Sequence, residues 1–103
     1  MITNILRTIE QLSKIKDKTL VERALKLSEE NGELSQAILC ATGVRGCEYK
    51  GLTMEDVKEE CVDVALVDLS IFFQAGGTIE ELANTLLYKI DKWQRVTKVE
   101  ETK

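Results

Sequence analysis

Residues 19–43, TLVERALKLSEENGELSQAILCATG, decide the fold. Leu20, Ala24, Leu27, Asn31, Leu34, Ile38 and Ala41 recur there at steps of four and three, the spacing that draws a stripe along one side of an α-helix. The stripe reads as a coiled-coil-like seam with a single polar residue, Asn31, at its middle. Thr19 and Glu22 form a capping box that starts the helix, each side chain serving the other residue's free backbone N–H. Gly43 is placed to end it.

Outward from this helix the same reading continues in both directions. Toward the N-terminus, Ile2, Ile5, Leu6, Ile9, Leu12 and Ile15 line a first helix and leave Arg7, Thr8 and Glu10 outside. Lys14 to Lys18 is a short basic connector. Toward the C-terminus, Gly43, Gly46 and Gly51 mark residues 42–52 as a loop. Thr53 with Asp56 opens a third helix carrying Met54, Val57, Cys61, Ala65 and Phe72 on one side. From Val64 to Phe73 apolar residues point in almost every direction, so this half is expected to be buried by several neighbours. Gly76 and Gly77 close it. Thr78 with Glu81 opens a fourth helix with Ile79, Leu82, Ala83, Leu86, Ile90 and Trp93 inward. The expectation is one all-α domain over residues 1–96, a four-helix antiparallel bundle oligomerising through its central second and third helices, with a frayed tail at 97–103.

Composition agrees with long helices and excludes several classes. The chain has 103 residues, 44% of them hydrophobic, 31% charged and none proline, and proline is the strongest breaker of a helix interior. A net charge of −4 without a dense basic block gives no footprint for nucleic acid. No apolar run approaches the roughly 18 residues that a membrane span needs, and no export signal opens the chain. Cys40, Cys47 and Cys61 lack CxxC spacing, and the chain has no histidine, so a structural zinc site lacks its usual ligands. They read as free, mostly buried thiols of a reducing cytoplasm.

Two acidic pairs stand out from this pattern. Glu30 and Glu33 sit three residues apart on the second helix, which places both carboxylates at the edge of the seam, while Glu29 faces solvent. Glu60 and Asp63 repeat the spacing on the third, and Asp63 interrupts the run Cys61, Val62, Val64, Ala65, Leu66, Val67. Like charges at this spacing disfavour a helix. A hard divalent cation removes the conflict because it takes oxygen ligands together with water and phosphate. A di-iron bundle would pair glutamate with histidine; ligation by oxygen alone points to Mg²⁺ or Mn²⁺. From the residues alone a metal site and a solvated acidic surface both remain open. Lys89, Lys92 and Arg95 form a basic face on the fourth helix, suited either to phosphate or to the helix C-terminal dipole. Asp68 either braces a ligand or pairs with a base.

The segment Glu29-Glu30-Asn31-Gly32-Glu33-Leu34, with Glu60-Cys61-Val62-Asp63 further on, resembles the EExxE and ExxD signature of the MazG-like all-α nucleotide pyrophosphohydrolases. The likeness runs from Thr19 to about Arg95. It implies Mg²⁺-dependent hydrolysis of (deoxy)nucleoside triphosphates to monophosphate and pyrophosphate, a role in cleaning the nucleotide pool, and a homodimer or homotetramer; the apolar Val64–Phe73 stretch and the polar Asn31 in the seam separately predict a homo-oligomer with a pocket lined by more than one subunit. It makes Glu30, Glu33, Glu60 and Asp63 the metal ligands, and Glu29 and Glu59 outer-shell or general-base candidates. Lys89 and Arg95 match loosely the lysine and arginine of that family's substrate-binding region, where Trp93 stands in place of an asparagine. Two alternatives are a non-catalytic helical interaction module and a hydrolase of the same fold acting on another phosphorylated compound, such as a phosphoribosyl-nucleotide.

Overall fold

A computed structural model describes residues 1–15, 17–44, 46 and 51–101. Residues 45 and 47–50 of the expected 42–52 loop, Cys47 among them, lie outside the described residues. The chain forms α1 (Ile2–Ser13), α2 (Leu20–Ala41), α3 (Met54–Gln74) and α4 (Ile79–Glu101), with no strand among the described residues. Helix α4 thus runs past the expected boundary at Val96.

The helix ends follow from local chemistry. Thr19 N–H donates to Glu22 Oε1 at 2.9 Å and Glu22 N–H to Thr19 Oγ1 at 3.1 Å, completing the capping box of α2. At its other end Gly43 takes φ +81°. Val44 N–H then bonds Leu39 O and Gly43 N–H bonds Cys40 O, the paired bonds of a Schellman turn. Helix α3 opens with Asp56 Oδ2 accepting from the Thr53 N–H and hydroxyl. It closes with a second Schellman turn: Gly76 adopts φ +102°, Gly77 N–H bonds Phe72 O and Gly76 N–H bonds Phe73 O. Thr78 Oγ1 accepts from Glu81 N–H at the start of α4.

Packing centres on α2 and α3, with α1 laid on α3. Gln74 Nε2, at the end of α3, donates to Lys18 O just before α2, while Glu30 lies beside Glu60 and Asp63 further along both helices. The two central helices are therefore antiparallel. The covered stripe of α2 is Arg23, Leu27, Glu30, Leu34, Ala37 and Ala41. Leu20, Ala24, Asn31 and Ile38 of the expected seam are exposed, so the helix is rotated relative to that reading and Asn31 faces out. On α3 the covered residues include Val57, Glu60, Asp63, Val64, Val67, Ser70, Ile71 and Phe73, whereas Met54, Cys61 and Ala65 are exposed. Asp68 is exposed as well. Helix α1 covers Leu6, Ile9 and Ser13 but leaves Ile2, Ile5, Leu12 and Ile15 in the open.

Helix α4 makes its main contact with α1. Only Ile79 and Leu82 of its expected inward residues are partly covered; Ala83, Leu86, Ile90 and Trp93 are exposed, Trp93 by 74%. Val62 and Leu66, in the apolar region of α3, are exposed too, so neighbours within the chain do not bury it on every side. Of the thiols, Cys40 is half-buried and Cys61 is exposed and free, against the expectation that they are mostly buried. Among the described residues no helix is long and apolar enough to cross a membrane.

Candidate functional site

The antiparallel pairing of α2 and α3 brings the two acidic motifs face to face. One carboxylate oxygen each from Glu30, Glu60 and Asp63 lie within 4.8 Å of one another. Glu30 is 7% exposed, and Glu60 and Asp63 are half-buried. Glu30 belongs to the covered stripe of α2 because Arg23, Leu27 and Leu34 stand on the same side of the helix, three or four residues apart. Glu30 Oε2 and Glu60 Oε2 are buried without a hydrogen-bond partner. Such orphaned acceptors are costly, since each has given up water for nothing.

Electrostatics follow this crowding. Glu60 is held above its ordinary pKa first by desolvation, then by the charges of Glu33, Asp63 and Glu30. Glu33 is raised chiefly by the charge of Glu30, with desolvation second. Glu33 is exposed and outside the set of three, yet its carboxylate interacts with both Glu30 and Glu60. Glu30 Oε1 is met by Lys26 Nζ at 2.9 Å, and the same ammonium lies 3.6 Å from Glu29 Oε1. The Glu30 hydrogen bond, followed by the charges of Glu29 and Glu30, holds Lys26 protonated above its usual range.

The donor set fits a hard divalent cation. Three carboxylate oxygens converge and two carboxylate oxygens lack any donor, while the Lys26 ammonium occupies the other oxygen of Glu30. Of the proposed general bases, Glu29 is exposed and engaged with Lys26, and Glu59 is exposed on α3. Lys92 and Arg95 line a shallow depression of about 310 Å³ with Tyr88 and Val96, Arg95 is paired with Asp91, and no described hydrogen bond or ion pair joins Lys89, Lys92 or Arg95 to the acidic set.

Lys26, bonded to Glu30, and the largely buried Arg23 were not singled out in the sequence. The available signal was their spacing: Arg23, Lys26, Glu30 and Glu33 step by three, four and three along one helix. No protein-family model, no curated protein and no solved structure matches this chain.

Proposed function

We propose that the protein is a Mg²⁺-dependent nucleoside triphosphate pyrophosphohydrolase of MazG-like type, serving as a homo-oligomer in the cytoplasm to clear unwanted nucleotides. The observation that carries this reading is the convergence of Glu30 with Glu60 and Asp63. The two motifs behind the resemblance lie far apart in sequence, and their carboxylates share one small volume with unpartnered oxygens. Glu30, Glu60 and Asp63 would hold the ion, with Glu33 completing the set from the solvent side; Mn²⁺ suits the same ligands. Bound there, Mg²⁺ supplies Lewis-acid stabilisation of phosphoryl oxygens and lowers the pKa of a coordinated water.

The chain's own residues do the rest. Lys26 fixes the orientation of Glu30 by its 2.9 Å bond and adds positive charge where a polyphosphate brings negative charge. Glu29 or Glu59, the general-base candidates the resemblance offers, would accept a proton from an attacking water. A panel of nucleoside triphosphates, with a phosphoribosyl-nucleotide included, incubated with Mg²⁺ and assayed for pyrophosphate is the test. Release of pyrophosphate from at least one triphosphate is expected, and a fully inactive panel with properly folded protein would remove the proposal.

The exposed apolar residues of α4 favour a second reading, a helical interaction module without catalysis. Mg²⁺ separates the two. Under the first, saturating metal raises the melting temperature, because a ligand at 100 times its Kd stabilises the folded state by about 2.7 kcal/mol; under the second it has no effect.

A further inference from the structure

Beside the acidic set, between α2 and α3, lies a cavity of about 180 Å³ lined by Lys18, Arg23, Lys26, Leu66, Val67 and Ser70. Three of its six lining residues are cationic. The Arg23 side chain is only 11% exposed, and its Nε is buried without a hydrogen-bond partner. Its remaining contacts are long: Nη2 stands 3.5 Å from Ser13 O and 3.8 Å from the exposed carboxylate of Asp17. A buried guanidinium N–H without an acceptor is as expensive as an orphaned carboxylate oxygen, and a planar donor fork matches a tetrahedral oxyanion.

We infer that this cavity holds the terminal phosphates of the substrate, so that Arg23, Lys26 and Lys18, and not the basic face of α4, bind the polyphosphate. The inference rests on the proposed pyrophosphohydrolase reading and names the anchoring residues of that same site. Arg23 and Glu30 are seven residues apart on one stripe, about 10 Å along the axis, and Lys26 stands between them with its ammonium on Glu30. A ligand that touches the acidic set through a metal and Arg23 directly must be elongated and negative along its whole length. A polyphosphate chain has that form; a single carboxylate does not. Three cations in its lining favour phosphate groups over an uncharged nucleobase, which places the nucleoside outside this cavity. Asp17, Glu29 and Glu30 are the carboxylates already engaged with these cations, and Asp17 is the exposed, loosely held one that a phosphate would displace.

The test is direct binding of inorganic tripolyphosphate by calorimetry with Mg²⁺ present, in the full chain and in Lys18→Gln, Arg23→Gln, Lys92→Gln and Arg7→Gln. Each variant removes one positive charge, so a general charge effect would weaken all four alike. The expected result is a loss of at least tenfold in affinity for Lys18→Gln and Arg23→Gln, with Arg7→Gln and Lys92→Gln within twofold of the parent. Should Arg23→Gln fail to fold for want of its contact to Ser13, Lys18→Gln still decides, since Lys18 is exposed. Absence of tripolyphosphate binding in the parent, equal losses in all four, or a loss confined to Lys92→Gln would overturn the inference. Turnover is measured in parallel to keep the two ideas apart. Pyrophosphate release with unchanged tripolyphosphate binding in the cavity variants would sink the cavity alone, whereas selective loss of binding in a protein that hydrolyses no triphosphate would sink the reaction alone.

Discussion

Glu30 is the most buried carboxylate of the site, and its one cationic partner, Lys26, reaches only Oε1. Glu30→Gln and Asp63→Asn keep side-chain shape but remove ligand charge, so each is expected to lower pyrophosphate release at saturating Mg²⁺ by at least about a hundredfold, the scale at which even indirect supports of a metal site act. Circular dichroism should report unchanged helix content. Near-parental turnover in either variant would dismiss these residues as ligands. A pH measurement probes the same crowding without substrate. Glu33 and Glu60 have raised pKa values in the folded chain, so the folded state holds more protons than the unfolded one between the ordinary glutamate value and the raised ones. The penalty is absent below that window and complete above it, and the melting temperature of metal-free protein should therefore fall as pH rises through it. Glu22 acts in the opposite sense: its carboxylate is lowered by the Thr19 backbone and hydroxyl, so its stabilising contribution disappears as pH falls below the ordinary range. The two windows do not coincide, and Glu60→Gln should flatten only the upper one. An unchanged slope in Glu60→Gln, measured with a chelator present, would contradict the assigned cause.

Gly77 tests the helix ends. A Cβ built there would stand 2.3 Å from Phe72 Cε1, and that ring is fixed edge-on against Phe73, 5.3 Å between centroids. Gly77→Ala should cost about 1–3 kcal/mol by chemical denaturation, the usual penalty for forcing an extra methyl into packed side chains. Thr19→Ala, which removes half of a capping box, should cost about 1 kcal/mol. Equal stability of either variant with the parent would mean that these ends fray without consequence. Such ends were legible because capping is settled within five or six residues: Thr19 with Glu22, Gly43 and Gly76 act where the spacing placed them. Helix rotation was not. The expected seam and the covered stripe of α2 share Leu27, Leu34 and Ala41, and they part where hydrophobicity prefers Ala24 and Ile38 to Arg23 and Glu30. Arg23 and Glu30 lie inside because α2 turns this side toward α3, which a scan along a single helix does not register. The acids and the Lys26–Glu30 pair could be read from spacing along single helices, while the burial of Arg23 depends on how whole helices meet.

At the scale of the molecule the chain is too open for its mass. Its radius of gyration is 16.9 Å, against about 13 Å for a compact domain of this length. It exposes 7961 Å², where a compact monomer of 11.6 kDa exposes about 5800 Å². The excess is well above the roughly 800 Å² that each partner buries in a standard interface and suits the larger obligate class, and the exposed residues include apolar ones where a lone chain is best served by polar groups: Val62 and Leu66 on α3, and Leu86, Leu87, Ile90 and Trp93 on α4. Partner burial in a symmetric homodimer or a tetramer of dimers would cover matching patches on both copies, and the nucleoside portion left outside the phosphate cavity would then meet a second subunit. Trp93 offers the readout, since it is the sole tryptophan and is 74% exposed in the single chain. In the assembled protein its emission should be that of a buried indole, and it should shift to the red on dilution in step with a falling mass by light scattering. Leu87→Lys places an uncompensated charge in the covered patch; it should lower the mass to that of one chain and remove most activity per subunit. A Leu87→Lys monomer with full activity would refute the shared pocket, and a parent that scatters as a single chain at every concentration would refute the assembly itself.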